Sequence, residues 1–124
     1  MIRLDLMTLR AILEGKSSVA LTEADWSRID ASAAVVARVL TKGEAVYGVN
    51  TGFGLLASTR IADDKLAQLQ RNLVLSHCCG VGPALPDRVV RLTLALKIVS
   101  LARGHSGVRR EVITALQTLL DAEA

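Results

Sequence analysis

The chain has 124 residues, of which 51% are hydrophobic and 22% are charged, with a formal net charge of +3. This composition excludes a disordered chain and fits one domain. The mean hydropathy of +0.39 is high for a small protein. No apolar run reaches the roughly 18 residues that a transmembrane helix needs, so we expect the excess apolar surface to form a subunit interface.

The basic residues are spread over several predicted helices, and only one Tyr, one Phe and one Trp are present for base stacking. We therefore expect neither a nucleic-acid nor a membrane partner. The alternative, a small nucleic-acid-binding protein, would be supported if the protein were retained on DNA in a salt-dependent manner. Cys78 and Cys79 are adjacent, which fits neither a metal site nor a redox pair, so we expect no metal and two buried thiols. With no apolar signal core at the N-terminus, the sequence predicts a cytoplasmic protein.

The first third of the chain contains two short apolar segments, residues 2–6 and 19–21, which are predicted as strands. Between them, residues 7–14 are predicted to form a brief helix that ends at Gly15. Thr22 is predicted to cap the next helix, with Asp25 as its acidic partner, and that helix runs to about residue 41 before Gly43. One face of it is apolar and consists of Trp26, Ile29, Ala33, Val36 and Leu40.

Three more predicted helices follow a Gly-rich loop at residues 47–54. Asp63 or Asp64 caps a helix that reaches about residue 79, and Pro86 stands in the first turn of a helix that reaches residue 103. The latter helix is apolar almost all round, which predicts burial on several sides. A last helix runs from residue 108 to about 122. Its apolar stripe consists of Val108, Val112, Leu116, Leu119 and Leu120. The fold class is therefore mainly α, with the two short strands as the exception.

The Gly-rich loop holds the single Tyr and the single Phe of the chain. Its residues are Tyr47-Gly48-Val49-Asn50-Thr51-Gly52-Phe53-Gly54. The glycines let the backbone approach a ligand closely, and the Tyr, Asn and Thr supply polar groups. A phenol acts as a base only where its neighbours stabilise the anion, which Asn50 and helix N-termini can do. The residues leave open the alternative that Tyr47 only packs its ring and hydrogen-bonds its hydroxyl.

His77 continues the apolar stripe of Leu66 and Leu73, so we expect it to point inward from the C-terminal end of its helix. It is either a site residue or a buried structural histidine, and the residues leave both open. Neighbouring positions on a helix point about 100° apart, so Ser76 and His77 are not predicted to form a nucleophile pair. His105 lies in a turn and is assigned no role.

Two segments resemble signatures of the aromatic amino acid ammonia-lyases. One is the loop at residues 47–54, and the other is residues 69–82. The second reads Leu-Gln-Arg-Asn-Leu-Val-Leu-Ser-His-Cys-Cys-Gly-Val-Gly. The likeness covers nearly the whole chain and is strongest over residues 47–110. Ser76-His77 is similar to the pair found in the histidine-specific members, whereas the phenylalanine enzymes tend to have Phe-Leu and the tyrosine enzymes His-Leu.

The resemblance implies a highly helical homotetramer that eliminates ammonia from L-histidine to give trans-urocanate in histidine catabolism. It implies that Tyr47 is the base that removes a β-proton and that His77 helps hold the substrate imidazole. Ser76, Asn50 and Gly54 are expected to contribute to the substrate site. The cofactor of this family is methylideneimidazolone, an electrophile made from an internal Ala-Ser-Gly.

The chain departs from the family pattern because it contains no Ala-Ser-Gly. We therefore expect residues 1–124 to be a single helical N-terminal lyase segment that lacks the C-terminal bulk and is inactive by itself. One alternative is a non-enzymatic binding or assembly module whose interface is formed by the last two helices. Another is a lyase that acts on tyrosine or phenylalanine.

Overall fold

A computed structural model describes residues 4–122, and these residues form five α-helices. Two single turns of 3-10 helix lie at Gly54–Leu56 and Asp63–Lys65. The helices are α1 (Leu6–Leu13), α2 (Glu23–Lys42), α3 (Leu66–His77), α4 (Asp87–Leu101) and α5 (Arg110–Asp121). The predicted mainly helical fold class is confirmed. No helix in residues 4–122 is both long and apolar enough to cross a membrane.

The two predicted short strands are wrong wherever the structure describes them, and residues 1–3 lie outside the described residues. Leu6 already begins α1, because the Asp5 carboxylate accepts a hydrogen bond from the Thr8 backbone N–H at 2.7 Å and caps the helix. At residues 19–21, the Val19 carbonyl accepts a hydrogen bond from the Gln117 side chain at 2.9 Å. The Gln117 side chain thus provides the hydrogen bond that a neighbouring strand would otherwise donate to Val19.

The described residues form two compact units. The first unit comprises the described residues up to Val35 and those from Ala84 onward, and the second is Val36–Pro83. All the buried apolar side chains found in residues 4–122 belong to the first unit. They are Ile12, Val19, Ile29, Ala95, Ile98, Val99, Leu101, Ala102, Ile113 and Leu120.

Helix α4 is the centre of the first unit because it packs against both α1 and α5. It is less enclosed than its sequence predicts, since Val89 and Leu96 remain exposed. In α5 the buried side chains are Ile113 and Leu120, whereas Val112 and Leu119 of the predicted stripe are exposed. The face of α5 that packs on the core is therefore rotated from the predicted apolar stripe, and of the two buried residues only Leu120 belongs to that stripe.

The start of α2 confirms the predicted capping box. The Thr22 N–H donates to the Asp25 carboxylate at 2.9 Å, and the Asp25 N–H donates to the Thr22 hydroxyl oxygen at 3.3 Å. Asp25 is buried and also forms an ion pair with Arg28. The hydrogen bond from the Thr22 hydroxyl is the largest of the effects that hold the pKa of Asp25 below its ordinary value. The helix ends at Lys42, and Gly43 follows with a φ of +70°.

The second unit has a different interior, because its buried residues among those described are Asn50, Thr51 and Gly52. Helix α3 begins after the 3-10 turn at Asp63–Lys65 and buries no residue. The predicted inward orientation of His77 is therefore wrong: its side chain is exposed. Cys78 and Cys79 are also exposed free thiols, which contradicts their predicted burial. An apolar stripe faces inward only where a neighbouring apolar surface can receive it.

Candidate functional site

The loop that carries Tyr47 is built on a turn closed at Val46. The Val46 carbonyl accepts hydrogen bonds from the backbone N–H groups of Val49 at 3.1 Å and Asn50 at 3.2 Å. Gly48 has a φ of +75° inside this turn, a conformation that residues with a Cβ rarely adopt. Tyr47 therefore sits within a short turn whose two ends are bonded to each other.

Asn50 is fully buried, and its side chain bonds to the backbone on the other side of Tyr47. Its Oδ1 accepts a hydrogen bond from the Val46 N–H at 2.8 Å, and its Nδ2 donates to the Glu44 carbonyl at 2.8 Å. The Asn50 backbone carbonyl accepts from the Ile61 N–H at 2.9 Å. A substrate that contacted the Asn50 amide, as the sequence predicts, would compete with these intramolecular bonds.

The second half of the loop is fixed by close backbone approach. Thr51 and Arg60 form an isolated antiparallel bridge, and the Gly52 N–H donates to the Thr59 carbonyl at 3.1 Å. A Cβ on Gly52 would lie 2.5 Å from the Leu56 Cβ, so this position has room for glycine alone. Gly54, a predicted substrate-site residue, has a φ of +58° and open space where a Cβ would stand.

Tyr47 itself is 63% exposed on this fixed loop. Its ring packs edge-to-face on the ring of Phe53, with centroids 5.6 Å apart and an interplanar angle of 62°. Among residues 4–122, no hydrogen bond to the Tyr47 hydroxyl is formed. This geometry favours an accessible phenol over a buried, hydrogen-bonded structural tyrosine. The role of Phe53 was missed in the sequence, although the single Phe lies only six positions after the single Tyr.

Ser76 and His77 lie at the C-terminal end of α3, and both fold back onto the Leu73 carbonyl. The Ser76 hydroxyl donates to that oxygen at 3.1 Å, and His77 Nδ1 lies 2.8 Å from it. The two side chains also meet, with 3.0 Å between Ser76 Oγ and His77 Nδ1, although neighbouring helix positions diverge. A carbonyl oxygen only accepts, so the Leu73 contact places a proton on His77 Nδ1 and leaves Nε2 as the acceptor of the neutral ring.

The predicted site residues thus form two groups within the second unit. Tyr47, Asn50 and Gly54 belong to the loop, and Ser76 and His77 belong to the end of α3. In the part of the chain that the structure describes, no hydrogen bond, ion pair or ring contact joins the two groups. The exposed phenol of Tyr47 and the exposed imidazole of His77 therefore belong to separate groups of one unit.

Comparisons with known proteins agree with the two sequence signatures. The family model described as "Aromatic amino acid lyase" matches residues 4–124. A histidine ammonia-lyase of Bradyrhizobium diazoefficiens is 57% identical over 112 residues, which cover 90% of this chain and 21% of that protein. The chain therefore spans about a fifth of the length of this relative.

Two solved structures share the fold. The histidine ammonia-lyase of Trypanosoma cruzi superposes with a TM-score of 0.82 at 34% identity, over 94% of this chain and 23% of that one. The ergothioneine-degrading enzyme ergothionase of Treponema denticola superposes with a TM-score of 0.88 at 28% identity, over 95% of this chain and 24% of that one. On the match that covers residues 4–124, the chain belongs to the aromatic amino acid lyase family.

Proposed function

We propose that this chain is the tyrosine-loop segment of a histidine ammonia-lyase, which converts L-histidine into trans-urocanate and ammonia. The observation that carries the proposal is an exposed Tyr47 on a loop whose backbone is held by buried polar contacts. The fold alone does not choose the substrate, because an enzyme named for ergothioneine shares it. The identity of 57% to a histidine ammonia-lyase and the Ser76-His77 pair favour histidine.

In this reaction Tyr47 removes a proton from the β-carbon of the substrate. The phenol oxygen is accessible, and the exposed ring is kept in place by its contact with Phe53. Holding a base in a fixed orientation removes part of the entropic cost of proton transfer. The fixed loop therefore supplies orientation, and the ionised oxygen of Tyr47 accepts the proton and becomes the phenol.

His77 recognises the substrate imidazole through its Nε2 atom. Because Nδ1 donates to the Leu73 carbonyl, Nε2 of the neutral ring can accept a hydrogen bond from an imidazole N–H. Ser76, hydrogen-bonded to the same carbonyl, contacts the ring from its Nδ1 side. A phenyl ring has no N–H to offer, so this arrangement discriminates in favour of histidine.

When bound, methylideneimidazolone supplies the electrophile that activates the substrate for loss of ammonia. The residues of this chain do not provide its Ala-Ser-Gly source, so none of them is assigned to holding it. We therefore expect residues 1–124 alone to show no turnover of L-histidine. A measurable rate with the isolated chain would contradict this part of the proposal.

We also propose that the enzyme is a cytoplasmic homo-oligomer, a tetramer as in its family. The free thiols of Cys78 and Cys79 fit a reducing compartment. Large apolar side chains of the second unit, including Leu55 and Val81, are fully exposed and suit burial against further protein. The alternative is a non-enzymatic assembly module whose interface is formed by the last two helices. It would be favoured if a chimeric lyase that carries this segment without substitutions showed no activity.

The test uses a chimeric lyase in which residues 4–122 replace the matching segment of the 57% identical Bradyrhizobium enzyme. Tyr47→Phe keeps the ring contact with Phe53 and removes only the phenol oxygen. We expect kcat for urocanate formation to fall by at least about 100-fold, with the thermal midpoint unchanged. If Tyr47→Phe keeps its rate, Tyr47 is not the base. Preference for tyrosine or phenylalanine over histidine in the unsubstituted chimera would favour the alternative substrates.

A further inference from the structure

We propose that Asn50 is a positioning residue whose buried amide holds the turn that carries Tyr47 and so sets the place of the phenol oxygen. The inference rests on the proposed role of Tyr47 as a base. It replaces direct substrate contact, the role that the resemblance implies for Asn50, with an intramolecular one.

The first support is that the Asn50 side chain bonds to the chain just before Tyr47. Its Oδ1 receives the Val46 N–H and its Nδ2 reaches the Glu44 carbonyl, both at 2.8 Å. The Asn50 backbone N–H also donates to the Val46 carbonyl at 3.2 Å. Val46 is therefore joined to Asn50 through both its N–H and its C=O, and Tyr47 is the residue that follows it.

The second support is the contrast in exposure between the two residues. The Asn50 side chain is 0% exposed, whereas Tyr47 is 63% exposed. An exposed side chain on a loop is ordered mainly through its own backbone, so the fixed backbone of residues 44–50 decides where the phenol lies. In the described residues, the aromatic ring that packs against Tyr47 is that of Phe53.

The third support is chemical. The two Asn50 contacts need an acceptor and a donor on one short planar group, which asparagine provides. Aspartate keeps the acceptor for the Val46 N–H but loses the donor to the Glu44 carbonyl. Leucine loses both and leaves two backbone groups without their partner. Asn50→Asp therefore removes one of the two side-chain contacts, and Asn50→Leu removes both.

The structural arm of the test measures amide hydrogen exchange in the 124-residue chain. Asn50→Leu should raise the exchange rate of the Val46 amide by at least about tenfold. Asn72→Leu is the matched control, since Asn72 is an exposed asparagine of α3 in the same unit. Equal Val46 exchange in both variants would overturn the inference.

The kinetic arm uses the chimeric lyase. Asn50→Leu should lower kcat by about 10- to 100-fold while KM changes by less than about threefold, since a displaced base loses rate rather than substrate affinity. In Asn50→Asp, protonation of the carboxyl at low pH restores a donor towards Glu44. Its kcat relative to the unsubstituted enzyme should therefore rise as the pH falls, which also keeps the test valid if Asn50→Leu fails to fold.

A rise in KM with unchanged kcat would overturn the inference, because it would show that Asn50 contacts the substrate. So would an Asn50→Asp variant whose relative kcat does not respond to pH. If Tyr47→Phe keeps the full rate, the proposed function fails and this inference falls with it. If Tyr47→Phe loses the rate while Asn50→Leu and Asn50→Asp do not, this inference alone is overturned.

Discussion

The ring of Phe53 stands edge-on against the ring of Tyr47, with 5.6 Å between their centroids. Because the chain has a single Tyr, one set of Tyr ring resonances reports on this contact. Phe53→Leu should shift the Tyr47 ring proton resonances in one-dimensional NMR of the chain, since the neighbouring aromatic ring current is lost. Leu55→Ala, at a fully exposed neighbour, is the control that leaves them in place.

The same contact has a kinetic consequence in the chimeric lyase. Aromatic pairs contribute about 0.5–1.5 kcal/mol beyond area burial, so Phe53→Leu should lower kcat by about 2- to 10-fold. A larger loss than that of Tyr47→Phe would show that Phe53 does more than order the phenol.

Replacement of His77 tests substrate choice. His77→Leu removes the Nε2 acceptor, and a hydrogen bond of this kind is worth about 1–3 kcal/mol. In the chimeric lyase, kcat/KM for L-histidine should therefore fall by about 5- to 150-fold. His77 is exposed, so the unfolding midpoint should stay constant. The same substitution at the other histidine, His105→Leu, is the control and should retain the unsubstituted kcat/KM. An unchanged kcat/KM for His77→Leu would remove the specificity argument.

Gly104 joins α4 to the segment before α5 at a point of close backbone approach. A Cβ there would lie 2.7 Å from the Arg28 carbonyl oxygen, and the φ of +76° is unfavourable for a residue with a side chain. Gly104→Ala should lower the free energy of unfolding by about 1–3 kcal/mol in urea titrations. Gly80→Ala is the control, because a Cβ at Gly80 would meet open space, and its urea midpoint should equal that of the unsubstituted chain. Equal midpoints for the two variants would contradict the clash.

Acid should weaken the first unit through Asp25. Its pKa is lowered in the folded state from an ordinary value of 3.8, first by the Thr22 hydroxyl hydrogen bond, so the ionised form stabilises the fold. This stability is fully present above about pH 4 and is lost as the pH falls through the folded-state pKa.

The variant that checks this is Asp25→Asn, which should lower the free energy of unfolding by about 1–3 kcal/mol at pH 7 and by less at pH 3. Asp64→Asn, at an exposed carboxylate, is the control. An equal loss at both pH values for Asp25→Asn would exclude ionisation of Asp25 as the cause.

Sequence patterns predicted the helices because their signals are local. The Thr22–Asp25 capping box and the stop at Gly43 are determined within one turn of helix, and both are present. The orientation of His77 was mispredicted because a helical wheel gives the relative position of side chains but not the presence of a surface to bury them. The second unit offers α3 no apolar core in the described residues.

The burial of the Asn50 side chain could also not be predicted from the sequence. Asparagine in a glycine-rich loop commonly bonds to nearby backbone, but the same residue also suits a ligand site. Only the positions of the Glu44 carbonyl and the Val46 N–H distinguish the two. The resemblance located the loop and the helix end, whereas the contacts inside the loop depend on its three-dimensional fold.

The concentration of buried apolar side chains in the first unit gives the chain two unequal thermodynamic parts. Heat-capacity change and denaturant sensitivity on unfolding scale with the apolar surface that becomes exposed, so the first unit dominates both. The single Trp26 lies in that unit, and the single Tyr47 lies in the other. The indole emission of Trp26 therefore reports on the first unit, and the phenol emission of Tyr47 reports on the second.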